Sequence, residues 1–152
     1  MSDPKKIDRA DIVNALWPMD GPHTAESVIA AADTIEDLWR YLAHATRRSD
    51  SGALAAPADV YVSLSRLVTS VRSAEQVFSQ LARWADRLQN KTRLAHDGER
   101  SGDHWLAINA AAEAAGWLSK ARAVTELLGR NLDQANSSLS HLYIDADEEE
   151  DQ

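Results

Sequence analysis

The strongest constraint on this chain is a run of apolar residues that begins just after Pro57. Val60, Leu64, Leu67, Val71, Ala74, Phe78, Leu81, Ala85 and Leu88 follow one another at alternating steps of four and three. A period of 3.5 keeps one seam of a helix turned toward a neighbouring helix over many turns, as in coiled-coil packing. Val68 and Trp84 widen the stripe, as they would in a bundle. Pro57 is favoured in a first helical turn, where its missing N–H has no partner to lose. The spacing predicts one helix from Pro57 to about Arg93.

A second long pattern follows the turn Ala95-His96-Asp97-Gly98-Glu99-Arg100-Ser101-Gly102. Asp103 is placed to cap it, and Leu106, Ala110, Ala114, Trp117, Ala121, Val124, Leu128, Leu132, Ala135, Leu139 and Leu142 recur at an average step of 3.6. That step follows a nearly straight helix. Gly116 and Gly129 lie inside it. Either a neighbouring helix comes close at these glycines, or a long helix simply tolerates them at about 1 kcal/mol each relative to Ala.

Upstream, Thr24 is a plausible N-cap for a helix reaching about Arg48, with Val28, Ala31, Ala32, Ile35, Leu38, Trp39, Leu42 and Ala45 on one face. Arg47 and Arg48 would complement the negative end of its dipole. A short helix near Ile7–Trp17 is stopped by Pro18 and Asp20-Gly21-Pro22. The expected fold is all-α: an elongated antiparallel bundle of three long helices plus a short N-terminal one, with coiled-coil-like packing. Residues 1–23 would form the short helix and linker, 24–142 the bundle domain, and 143–152 an acidic disordered tail. The helix starting at Thr24 is too short to cover the hairpin made by the two longer ones. A second copy is the simplest cover for the open seam, so a homodimer is expected. Val60, Leu64, Val71, Phe78, Leu132 and Leu139 are its candidate assembly residues.

A chain of 152 residues suits one domain and buries enough surface to fold without a metal or a disulfide. Cysteine is absent, which excludes thiolate chemistry and Cys-based metal sites. The N-terminus is polar and carries no apolar signal region, and no apolar run reaches the ~18–20 residues of a membrane span. Cytoplasmic residence, with no membrane partner, is the expectation. The net charge of −8 is unevenly placed. Asp145, Asp147, Glu148, Glu149, Glu150 and Asp151 supply six of the 24 acids, leaving 18 acids against 16 bases elsewhere. An acidic tail of this kind keeps a protein soluble and argues against nucleic-acid binding through it.

No motif for catalysis is legible. His23, His44, His96, His104 and His141 contain no pair three or four apart, the spacing that puts two metal ligands on one helical face. His96 and His104 flank one turn and would meet there at most by chance, while His44 falls near an apolar face. Serines are common, but none sits in a Gly-x-Ser-x-Gly elbow, and no glycine-rich phosphate loop occurs. No Glu-x-x-His pair of a di-iron bundle is present. Neither an enzyme nor a cofactor is expected. Trp39, Trp84 and Trp117 lie on or beside the seams and are expected in the core, with Trp105 closing a bundle end; a ligand pocket is the alternative use.

Arg83, Arg87 and Lys91 form a basic stripe with Arg66, Arg72 and Arg93 nearby. A solvated face is its ordinary reading, contact with phosphates the other. Tyr143 and Asp147 match the Tyr-x-x-x-Asp pattern that ends a helical hairpin in type VII secretion substrates, but the Trp-x-Gly turn of the small substrates is missing. Tyr41-Leu42-Ala43-His44-Ala45-Thr46-Arg47 and Pro57-Ala58-Asp59-Val60-Tyr61 resemble small Ala/Arg-rich helical proteins of unknown function from actinobacteria and their mobile elements. The resemblance covers about residues 25–142 and implies an origin and no activity. Three functions remain in play. The first is a protein–protein interaction module with another protein as partner. The second is a mobile-element inhibitor that occupies a basic, nucleic-acid-binding surface of a host protein. The third is a DNA-binding accessory protein that uses the basic stripe.

Overall fold

The structure is a computed structural model that describes residues 8–47, 53–97 and 103–144. Among these, four helices occur and no strand: α1 (Arg9–Leu16), α2 (Ala25–Ala45), α3 (Pro57–Leu88) and α4 (His104–Leu139). The chain divides into two compact units, Met1–Ala53 and Leu54–Gln152.

The first unit holds α1 and α2. Asp8 caps α1 by accepting the Ala10 N–H at 2.9 Å. Past α1, the Trp17 indole N–H donates to the Ser27 carbonyl at 3.1 Å, tying the end of α1 to the first turn of α2. Gly21 closes the intervening turn with φ of 86°, a conformation open to glycine but strained for other residues, ahead of a cis bond to Pro22. Thr24 is the N-cap, as its position suggests. Its hydroxyl accepts the Ser27 N–H at 3.1 Å, and the Ser27 hydroxyl accepts the Thr24 N–H at 3.0 Å. This reciprocal pair satisfies two of the donors that a helix start leaves free. Arg40 pairs with Glu36 and Asp37 one turn before it. None of the 21 residues of α2 is buried.

The second unit is a hairpin of the two longest helices, with 32 and 36 residues. Pro57 occupies the first turn of α3, and Asp103 caps α4 by accepting the N–H groups of Trp105 and Leu106. The helices run antiparallel: Ser65 meets Asn136, Val71 meets Gly129, Arg72 meets Asp133 and Glu75 meets Arg122. α3 stops at Leu88, short of Arg93. Gln89, Asn90 and Lys91 turn their N–H groups to the carbonyls of Asp86, Arg87 and Leu88, three residues back. Those tighter bonds unwind the helix with no Gly or Pro to announce it. The His104 Nδ1–H then donates to the Leu94 carbonyl at 2.8 Å, pinning the connecting segment to the start of α4.

Small and polar residues line the contact between the rods. Val68, Val71, Ala82 and Ala85 are buried on α3; Ala107, Ala111 and Gly129 are buried on α4. A Cβ on Gly129 would stand 3.7 Å from Val71 Cγ1, so the backbone of α4 lies close to α3 there. Gly116 differs, since a Cβ placed on it would meet nothing within 4 Å. Asn136 Nδ2 donates to the Ser65 hydroxyl at 2.9 Å, while its Oδ1 is buried and unpaired. A polar pair of this kind favours one register over a slipped one.

Candidate interaction surface

The hairpin has two unlike long faces. Successive residues of a helix are about 100° apart, so direction can be counted from the buried line. On α3 that line passes through Val68, Val71, Glu75, Ala82 and Ala85; on α4 it passes through Ala107, Ala111, Leu118, Arg122, Thr125, Gly129, Leu132 and Asn136. Rotating forward from both lines reaches polar residues. Arg72 pairs with Asp133, and Arg122 bridges Glu75 at 3.1 Å and Glu126 at 3.6 Å. Glu126 also holds Arg130 at 2.7 Å. Two shallow clefts open on this side. One is lined by the ion-paired residues with Thr125 and Gly129, the other by Arg83, Asp86 and Gln89 against Ala112, Gly116 and Ser119.

Rotating backward from the same lines reaches apolar residues on both helices. On α3 these are Leu64, Leu67, Ala74, Phe78, Leu81 and Leu88; on α4 they are Ala110, Ala114, Trp117, Ala121, Val124, Leu128 and Ala135. Because the helices run antiparallel, the same sense of rotation carries both stripes to one side of the hairpin. The stripes read from the sequence as inter-helix seams are therefore mostly this side face. Its members are uncovered: Leu81 is 43%, Trp117 60%, Val124 66% and Leu128 46% exposed. Glu113 and Lys120 are the nearest charges, at its edge. Both contact Trp117, the carboxylate accepting its indole N–H at 3.4 Å and the ammonium stacking 3.9 Å from the ring centre.

Of the residues expected to assemble the protein, Val60, Leu64, Phe78, Leu132 and Leu139 are half-buried. Val71 is 5% exposed and committed inside the hairpin. Leu81, Val124 and Leu128 are the exposed members that the earlier choice passed over; their place in the apolar periodicity was the available signal. The expectation that Trp39, Trp84 and Trp117 sit in a core is corrected: they are 48%, 54% and 60% exposed. Trp84 and Trp117 lie on the outer flank of their stripes, beyond reach of the α3–α4 contact.

Arg83 and Arg87 are exposed on the outer edge of α3, and Lys91 lies in the turn beyond its end. The six tail acids, Asp145, Asp147, Glu148, Glu149, Glu150 and Asp151, fall outside the described residues, as does Arg48. Among the described residues, no group of three or more His, Asp or Glu converges to hold a metal ion, and no helix is long and apolar enough to cross a membrane. No protein-family model, no curated protein and no solved structure matches this chain.

Proposed function

We propose that the chain is a non-catalytic interaction protein that works as a homodimer, paired through the apolar side of the α3–α4 hairpin. One observation carries the reading: α3 bears two adjacent helical seams, and α4 uses one of them. A helix with two seams belongs in a bundle of more than two helices. The free seam from Leu64 to Leu88 is roughly 36 Å long, and two helices side by side are roughly 20 Å broad. The product, about 700 Å² per copy, is close to the ~800 Å² per partner that a specific pair usually buries.

Two such faces, set against each other, form a four-helix bundle with coiled-coil-like packing and the ion-paired sides turned outward. A two-fold pair needs a patch complementary to itself, and an uncharged apolar strip meets that demand. Leu64, Phe78, Leu81, Val124 and Leu128 are its central residues. The same surface, or its ends, would present the dimer to a further protein. The likeness of Tyr41–Arg47 and Pro57–Tyr61 to actinobacterial mobile-element proteins is kept as a proposal of origin.

Co-expression of two differently tagged copies tests the pairing. Wild-type chains should capture each other, whereas chains carrying Leu81→Glu and Leu128→Glu should not, with helix content unchanged. Equal capture by wild type and double variant would remove this face from the interface.

A further inference from the structure

Resting on the homodimer reading, we propose that the two copies lie antiparallel and that the Arg83–Arg87–Lys91 stripe of each receives the acidic C-terminal segment of the other. The six acids of residues 145–152 are three-quarters of that segment, and the described chain ends at Ile144. Within one copy the two charge clusters lie at opposite ends of the hairpin. Asn136 stands level with Ser65, so the end of α4 at Leu139 is level with about residue 62 of α3. From there Arg83 is ~31 Å away along the axis and Arg87 ~38 Å, with Lys91 farther still, at ~1.5 Å per residue. The tail would have to double back fully extended, at ~3.4 Å per residue, to bring even its last acid to the level of Arg87.

A second copy removes the gap. The free apolar seam runs from Leu64 to Leu88 and is centred near residue 76. A two-fold axis through that centre, perpendicular to the hairpin, carries the other copy's α4 end from level 62 to about level 90, beside Lys91. The remaining distance is around one helix, on the order of 10–20 Å. Eight residues span at most ~27 Å, which is enough. A parallel pair, with its axis along the hairpin, would leave the acids as far from the stripe as a single copy does. Charge supports the antiparallel choice. The folded part of the chain is nearly neutral, with 18 acids to 16 bases, so the tail holds most of the net −8. Arg87 and Lys91 have no ion-pair partner among the described residues, and Arg83 donates only to its own helix, at the Ser79 carbonyl.

The chain has no cysteine, so introduced thiols report without interference. Full-length Asn90→Cys and Gln152→Cys chains, each with its own mass tag, are mixed and oxidised at 0.1 M salt; Ala58→Cys with Gln152→Cys is the control. The proposal expects the Asn90–Gln152 cross-link between chains to exceed the Ala58–Gln152 cross-link by about tenfold. The combined Arg83→Gln, Arg87→Gln and Lys91→Gln chain, or 1 M salt, should abolish that excess, because screening at 1 M acts within ~3 Å. Preference for Ala58–Gln152 in a chain that is dimeric by mass would overturn the antiparallel arrangement and leave the pairing intact. So would a 90–152 disulfide within one doubly substituted chain, or salt-sensitive binding of duplex DNA by the intact chain through the three bases. A chain monomeric by mass would instead remove the dimer reading itself.

Discussion

The two long sides of the α3–α4 hairpin differ in what satisfies them. On one side, Arg72–Asp133 and the Glu75–Arg122–Glu126–Arg130 network satisfy each other and face water. On the other side, Leu81, Val124 and Leu128 are close to half exposed or more and have no such internal resolution. Charged groups gain little from leaving water, and exposed pairs contribute at most ~1 kcal/mol. Apolar groups gain about 25 cal/mol for each Å² removed from it. The polar side is thus complete within one chain, and the apolar side is where a second chain adds stability.

Four substitutions sharpen that contrast. Val71→Asp should be the most damaging, because it places a carboxylate in the closest part of the rod contact. Loss of more than ~3 kcal/mol in urea unfolding is expected. Phe78→Ser should weaken dimerisation by roughly thirtyfold in a dilution series, about 2 kcal/mol at ~1.4 kcal/mol per factor of ten, because it strips an aromatic side chain from the proposed interface. Arg122→Met tests the polar side. Its partners Glu75 and Glu126 are only 30% and 41% exposed, yet the cost should stay near 1 kcal/mol and leave the dimer intact. Gly116→Ala should be the mildest and opposite in sign. The open space around its Cβ position lets alanine stabilise the helix by about 0.5–1 kcal/mol, read as a higher midpoint in urea.

Much of the fold was legible because its determinants are local. Thr24, Pro57 and Asp103 sit where helix starts require them, and a 3.5 period over nine residues admits no strand. The orientation of the hairpin was not legible, because hydrophobic periodicity marks which residues avoid water and not which neighbour covers them. The α4 side of the contact is written in Ala107, Ala111, Thr125, Gly129 and Asn136, whose value is small size or a hydrogen bond. An apolar-residue reading passes over Thr125 and Asn136 and selects the larger side chains one step away, at Ala110, Trp117, Val124 and Leu128. The same rule placed Trp117 in a core. Gly129 became interpretable only when Val71 appeared beside it. The end of α3 at Leu88 was hidden because Gln89-Asn90-Lys91 contains no residue that breaks a helix by itself.

Sedimentation equilibrium of the full chain at micromolar concentration bears most directly on whether the apolar side is covered by a second copy. The account predicts a species of twice the 16.7 kDa chain mass that falls to one chain mass in the Leu81→Glu, Leu128→Glu variant. A wild-type chain that stays at 16.7 kDa throughout the concentration range would contradict it.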